Sequence, residues 1–469
     1  MPTHSRPVLA ALGVVCSAAC LLAAPSFAGD YNLYWGNFHS HSSLSDGAGP
    51  PADAYTYARD VAGIDILALS DHTHMTSASE WSYLGTQADT YTEDGVFVAL
   101  RSQEFGILND FGHLNIHDCD VKNPNATTNL PATYNFIIQN NGIGAFNHPN
   151  PSYGTWFDNL AFDPAYVDAM YGMEIINGFY SGDYTDTWIM ALNNGWKLGA
   201  FGNQDNHEAN WGNQQNTNDG NRIYLTGVYA TELTKAGVHE ALRARRFFAT
   251  EQRPEGDLLT LEFSVAGNPM GSTITTGPVV IFQTKTESLN QTTLCNRIEL
   301  WKDGVLFDTY VAVGTSLTHQ FVDSDLQVGE SHYYFIRGRQ TDGDLAWSSP
   351  IWITVEEEPA GIDPVEPSET RVQLLQNKPN PFSPQTDIRF VLPARSSGES
   401  YRVQLVVLDS AGRRVRDLGT RTLNAGEQAW TWDGRTDDGT PAASGVYHYR
   451  VSGSGIEDAN GRMVLLSNR

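Results

Sequence analysis

The sequence predicts an α/β layer or barrel followed by two all-β sandwiches. From Tyr31 to about Arg253, short apolar runs alternate with helix-like stretches, the pattern of βα units. Beyond Arg253 the texture changes to two-residue alternation without helices, as in Leu259-Thr-Leu-Glu-Phe-Ser-Val265 and Tyr333-Tyr-Phe-Ile-Arg-Gly-Arg339. A chain of 469 residues, 41% hydrophobic and 18% charged, has material for about three domains and too little charge for wholesale disorder.

Each element follows from local chemistry. Residues 1–28 read as a secretory signal peptide: Arg6 at the start, an apolar run from Val8 to Ala24, and Ser26 and Ala28 before an expected cut. The chain is therefore expected to be secreted or held at the cell envelope, with no transmembrane segment after the cut. Pro50 and Pro51 open a helix through Arg59 and Gly63 closes it, after which Ile64–Leu69 reads as a buried strand. Further strands are expected at Val96–Leu100, Gly144–Phe146, Met173–Ile176 and Leu198–Gly202, with helices at Ala132–Gln139, Tyr184–Asn193 and Thr234–Arg245. The first sandwich is expected over 256–356. Three consecutive Glu and repeated Pro make 357–370 a linker, and 371–469 is a second all-β unit. Cys16 and Cys20 leave with the signal, and Cys119 and Cys295 fall in different expected domains, so no disulfide framework organises the chain.

Acids outnumber bases 54 to 29, a formal charge of −25. Such a field repels polyanions and disfavours a nucleic acid polymer as partner, while a local metal cluster remains compatible with it.

The candidate chemistry collects where strands are expected to end. His39-Ser-His41 follows the first strand, and side chains two apart in a strand share a face. Asp46-Gly47 lies at a turn that can reach back to that pair. Asp71-His72 follows Ile64–Leu69, and Glu104 follows Val96–Leu100. Gly112-His113, Asn147-His148-Pro149 and Asp205-Asn206-His207 complete the series. Six histidines with Asp46, Glu104 and Asp205 are the nitrogen and oxygen donors of a polynuclear site. Asp71 and Asn147 stand next to ligands and are candidates for orienting them. His74, His117 and His239 fit no ligand pattern. Arg101 and Arg222 are candidates for holding an anionic substrate, Tyr153, Trp156 and Phe157 for an apolar wall, and 203–222 for a solvated loop or lid. The chain has no G-x-S-x-G, H-E-x-x-H, P-loop or G-x-G-x-x-G motif.

In that order these motifs resemble the polymerase and histidinol phosphatase (PHP) superfamily over residues 31–253. Glu174-Ile-Ile-Asn-Gly178 and the stretch 230–250 are similar to its branch of secreted or stand-alone metallohydrolases that includes carbaryl hydrolase. The resemblance implies a distorted seven-stranded (β/α) barrel holding two or three divalent ions, Zn, Mn or Fe. It assigns His39, His41, Glu104 and Asp205 to one ion and Asp46, His72 and His207 to a second. His113, His148 and a bridging Glu104 would hold the third. Asp46 departs from members that carry His near this place, which leaves the second site's occupant open. The implied activity is hydrolysis of phosphoesters, or of a related small ester, by a hydroxide between ions about 3.5–4 Å apart. Glu104, Asp205 and His207 would be the reacting-centre residues. The alternatives are a carbamate or carboxylic esterase with the same site, or a surface protein that only keeps bound metal.

A second resemblance covers 371–469. Leu374-Leu-Gln-Asn-Lys-Pro-Asn-Pro-Phe-Ser-Pro384, Trp432-Asp-Gly434 and Ser444-Gly-Val-Tyr447 are similar to the Ig-like domain of flagellar hook-capping proteins and to C-terminal sorting domains of type IX secretion. It implies a sandwich without chemistry and a means of cell-surface attachment.

Overall fold

The structure, a computed structural model, describes residues 31–466 except 108–110, 125–128, 151–155, 180–181, 216–219, 255, 358–371, 381, 394–399 and 410–411. The expected signal peptide, nearly all of the expected linker, and Tyr153 lie outside the described residues. Among them, no helix is long and apolar enough to cross a membrane. Two compact units are present. The first holds the chain up to Ile274 with Phe282–Phe321 and Ser331–Ile353; the second holds Thr275–Ile281, Val322–Glu330 and Thr354 onward.

The α/β part of the first unit contains eleven strands. They are β1 (Asn32–Asn37), β2 (Ile66–Leu69), β3 (Val98–Arg101), β4 (Gln103–Ile107), β5 (Gly112–His117), β6 (Ile143–Phe146), β7 (Met170–Asn177), β8 (Gly182–Asp183), β9 (Gly199–Asn203), β10 (Ile223–Ala230) and β11 (Phe247–Gln252). One sheet runs β11-β10-β1-β2-β3, with β1-β2-β3 parallel and β10 antiparallel to both its neighbours. The other runs β4-β5-β6-β7, with β8 and β9 both on β7. Its β4-β5-β6 part is antiparallel, while β6-β7-β9 is parallel.

This is a mixed α/β fold, and its ladders do not draw seven regular βα repeats. Only Ser102 separates β3 from β4, and β4 and β5 make a hairpin with no helix between them. Helices Pro51–Tyr57, Ala78–Tyr91, Leu130–Gln139, Thr185–Asn194 and Lys235–Arg243 follow β1, β2, β5, β8 and β10. Between β9 and β10 the two sheets meet through a side chain, where the Thr226 hydroxyl donates to the Gly202 carbonyl and accepts from the Gly202 amide.

Expected helices appear within a few residues of their sequence limits. The helix at 51–57 begins at Pro51 and runs into a wider turn that ends on Gly63, which takes a left-handed φ of 69°. The helix Ala78–Tyr91 was not expected from apolar periodicity. It carries a capping box instead: the Ser77 hydroxyl accepts from the Glu80 amide, and the Glu80 carboxylate accepts from the Ser77 amide.

The all-β segment after Arg253 shares a sheet with the α/β part. Strand Leu345–Ser348 pairs antiparallel with β11, Phe248 facing Ser348 and Thr250 facing Ala346. Strand Ser331–Gln340 pairs with Leu345–Ser348 and with Cys295–Lys302. The cores merge as well: Trp347 and Phe335 pack in one buried cluster with Trp188, Met173 and Phe146. Strand Leu259–Val265 lies against Phe282–Ser288 in a separate ladder. Cys119 and Cys295 are free thiols and buried.

In the second unit, Gln373–Lys378, Thr386–Leu392 and Gly426–Trp432 form one antiparallel sheet. Arg414–Leu423, Tyr401–Leu408, Gly445–Gly453 and Ala459–Leu465 form another. Trp430, Trp432, Tyr401 and Phe390 fill the core between them.

Trp347 tests the merged core. Trp347→Ala should destabilise the first unit by about 3 kcal/mol, the usual cost of a large buried aromatic, read as a lower urea midpoint at unchanged slope. A loss below about 0.5 kcal/mol would mean that the all-β segment does not support the α/β part.

Candidate metal centre

The site forms where β1, β2, β6 and β9 end and where the β4–β5 hairpin begins. Beyond β1 the chain stays extended, and Ser40 makes a bridge with Asn206 that sets His39 and His41 against Asp205 and His207. A second bridge, His72 with Glu104, joins the end of β2 to β4. His113 lies on β5 and His148 just past β6. Asp205 and His148 adopt φ of 50° and 24°, a conformation that costs a non-glycine residue on the order of 1–3 kcal/mol and is tolerated where function requires it.

All nine side chains expected as ligands converge. Glu104 is at the centre. Its Oε1 lies 3.1 Å from His113 Nδ1, 3.2 Å from His39 Nε2 and 3.4 Å from His148 Nε2. Its Oε2 lies 3.0 Å from His72 Nδ1 and 3.5 Å from His41 Nε2. Asp205 Oδ1 is 3.2 Å from both His39 Nε2 and His41 Nε2, which are 3.3 Å from each other. Asp46 is half exposed and faces His72 and His207, each at 3.5 Å, and His41 Nδ1 at 3.7 Å.

Three sets can each hold an ion: His41, Asp46, His72 and His207; His39, His41 and Asp205; and His72, Glu104 and His113. His41 and His72 each belong to two sets, so the cluster is continuous.

The Glu174 carboxylate, an acceptor when ionised, lies 2.7 Å from His39 Nδ1 and so accepts a hydrogen bond from the tautomer protonated there. In its neutral form the ring then turns a lone pair, on Nε2, toward two carboxylates and a second imidazole. The donor set therefore fits cations, and buried acceptors crowded this closely are favourable only around positive charge. The side chains also displace one another's ionisations. Burial lowers the affinity of His39 for a proton, but Asp205, Glu174 and Glu104 outweigh burial and raise it well above the ordinary range. Burial likewise disfavours ionised Glu104, yet His113, His39 and His72 hold it well below the carboxylate range. At His72 burial prevails and the value falls to about 4.

Glu174 had not been expected in a site role. It is fully buried on β7 and accepts from His39, from the His148 amide at 2.7 Å, from Asn177 at 2.9 Å and from Asn203 at 3.1 Å. The available signal was a Glu inside an apolar strand, where a charge persists only if it is paired. Asn147 donates to Glu104 Oε1 at 2.8 Å. Asp71 accepts from the Ser42 amide, the Ser42 hydroxyl and the Ser45 hydroxyl at 2.7–2.8 Å, clamping the turn that carries Asp46. In that turn a Cβ on Gly47 would lie 2.5 Å from the His41 carbonyl carbon.

Other candidates have structural partners. Arg101 pairs with Asp120 at 2.6 Å and lies over the Trp81 ring, and Arg222 pairs with Asp344 at 2.9 Å. Neither is left to hold an anion. Phe157 is buried in the main core. The polar loop after β9 is anchored: buried Trp211 donates to the His41 carbonyl at 2.9 Å, and Gln204 Oε1 accepts from the Gly212 amide at 3.1 Å. His239 pairs with Asp118 at 2.8 Å, and buried His117 meets the Ser102 hydroxyl at 2.7 Å.

Comparisons with known proteins bear on different parts of the chain. Residues 387–464 match the FlgD Ig-like domain, inside the segment expected to carry that fold. An uncharacterized protein of Chlamydia pneumoniae is 22% identical over 369 residues, 69% of this chain. The match spans 57% of that relative's own length. A Chlamydia muridarum protein is 27% identical over 142 residues, 28% of this chain and 22% of its own. Among solved structures, a two-domain protein from Bacteroides vulgatus, described as containing a predicted PHP-like metal-dependent phosphoesterase, is similar at 17% identity. It aligns over 69% of this chain and 96% of its own, with a TM-score of 0.41.

Glu174→Gln should weaken metal binding roughly 10- to 100-fold, the usual effect of removing the carboxylate behind a ligating imidazole, and metal titration calorimetry reads it directly. An unchanged affinity would remove Glu174 from the site.

His117 gives a pH dependence. Burial depresses its folded-state value to about 3, below the ordinary 6.5 of the unfolded chain. The unfolded state therefore binds the extra proton, and stability falls as pH drops below 6.5, by up to about 1.4 kcal/mol per unit. Urea unfolding of chelator-treated protein between pH 7 and 5 should show this slope, and His117→Gln should remove its share.

Proposed function

We propose that the chain is an exported, PHP-type metal-dependent hydrolase of phosphoesters or a related small ester, with two or three Zn, Mn or Fe ions at the mouth of a distorted (β/α)7 barrel. The observation that carries this reading is the convergence of nine nitrogen and oxygen donors on Glu104 and Asp205, with His39 Nε2 and His41 Nε2 3.3 Å apart. Divalent ions bound there would supply Lewis acidity toward the ester and lower the pKa of water.

The chain's own residues divide the work. Glu104 stands between the donor sets and would help hold the ions and balance their charge. Asn147 fixes one of its oxygens, and Glu174 fixes the His39 tautomer so that Nε2 is free to ligate. Asp205 supplies a buried carboxylate to both His39 and His41. His207 donates its Nδ1 proton to the Asp205 carbonyl at 2.9 Å, which leaves Nε2, 3.5 Å from Asp46, free to ligate. The division into signal peptide 1–28, hydrolase 29–255, sandwich 256–356, linker 357–370 and attachment domain 371–469 belongs to the same proposal. The last domain would serve cell-surface retention and not chemistry.

The test is elemental analysis of protein purified without chelator, followed by turnover on phosphomonoesters, phosphodiesters and aryl carbamates. At least two ions per chain and turnover of one ester class are expected, with Glu104→Gln losing both together. Fewer than one ion per chain after reconstitution, or a metal-loaded protein that turns over none of the esters, would overturn the reading.

A further inference from the structure

The nine donors differ in exposure. His39, His41, Glu104, Asp205 and His148 form a buried floor, whereas Asp46 and His207 open to solvent. Two rings that are not ligands border this opening. Phe179 lies 5.0 Å from the His207 ring, and His74 lies 5.2 Å from the His72 ring. Phe179 is 46% exposed. Its backbone is nonetheless fixed. The Phe179 amide donates to Asn177 Oδ1 at 2.9 Å, Asn177 Nδ2 donates to Glu174 Oε2 at 2.9 Å, and the Gly178 amide donates to the Asn203 carbonyl at 2.9 Å. The carboxylate that orients His39 thus also sets the place of an aromatic side chain open to water.

Positive charge is largely spent elsewhere. Residues 31–253 contain ten Lys and Arg, and none falls among the undescribed positions of that stretch. Arg59, Arg101, Lys235, Arg243 and Arg246 pair with Asp60, Asp120, Asp89, Asp118 and Glu240. Arg222 and Arg253 share Asp344. Arg245 lies over Tyr171, and Lys197 donates to Thr273. The tenth, Lys122, follows the stretch that Arg101 and Gln103 hold through Asp120 and the Val121 carbonyl. At the opening itself Asp46 exposes a carboxylate.

We propose that Phe179 forms a subsite for a flat apolar group of the substrate, and that this part of the substrate carries no negative charge of its own. The inference rests on the reading of the centre as a metal-dependent esterase. A ring laid against Phe179 gains contact area and stacking on a side chain whose backbone is already held. A remote carboxylate or phosphate would find nine of this segment's ten guanidinium and ammonium groups already engaged.

The test is calorimetric binding of three phosphonates to the metal-reconstituted full chain. Phenylphosphonate should bind roughly tenfold tighter than methylphosphonate, and 4-carboxyphenylphosphonate should lose that gain. Phe179→Ala should abolish the preference for phenyl over methyl while its metal content, measured on the same samples, stays at the unsubstituted level. Phe179→Tyr should keep the preference. Equal affinities for phenyl and methyl, tightest binding of the carboxylated ligand, or an undiminished phenyl preference in Phe179→Ala would each overturn the subsite. Loss of the proposed function has a separate signature, since a metal-loaded chain that hydrolyses no ester would still report whether Phe179 discriminates between these ligands.

Discussion

One buried carboxylate organises this molecule. Glu104 is almost wholly removed from water and has five imidazoles within 3.5 Å of its two oxygens. A charge in that position is tolerable only if its surroundings neutralise it on every side. The surroundings come from four strand ends and one hairpin, so the charge requirement of a single side chain bears on where β1, β2, β6 and β9 stop and where β4 and β5 lie. The strained backbone at His148 and Asp205 has the same origin, because ordinary strand geometry would not turn both side chains back toward the centre.

Most of the nine donors were legible because they sit within a few residues of the end of an apolar run, so a local pattern carries their position. His39-x-His41 and Asp205-x-His207 also carry their mutual geometry in their spacing. The grouping was not legible. His41 has one nitrogen toward Asp205 and the other toward Asp46, and that orientation depends on a bridge between Ser40 and Asn206, far apart in the chain. Glu174 was hidden for the same reason, since its four partners come from β7 and from three other segments.

In the fold, expected strands and helices were found wherever apolar periodicity was strong. The β4–β5 hairpin escaped because Gln103–His117 is punctuated by Gly106, His113 and Asn115, polar or flexible residues placed for the site and not for a sheet. Helix Ala78–Tyr91 escaped for the opposite reason: it lies largely on the surface, and its signal is the capping box at Ser77, not an apolar face. Arg101 and Arg222 looked like anion holders only because the sequence hides Asp120 and Asp344, their partners. No periodicity signals a sheet that crosses from an α/β segment into an all-β one.

That crossing has a bearing on solubility. A sheet that ended at β11 would present a row of open amides and carbonyls flanked by Phe247, Phe248 and Ala249, and open edges of that kind recruit strands from other molecules. Leu345–Ser348 occupies the position a foreign strand would take, and Trp347 covers the apolar surface beside it. The all-β segment therefore acts as a stopper for the α/β part, made from the same polypeptide and always present at stoichiometric concentration. Growth of the sheet beyond β11 is taken up by the chain's own later strands, leaving no template there for self-association.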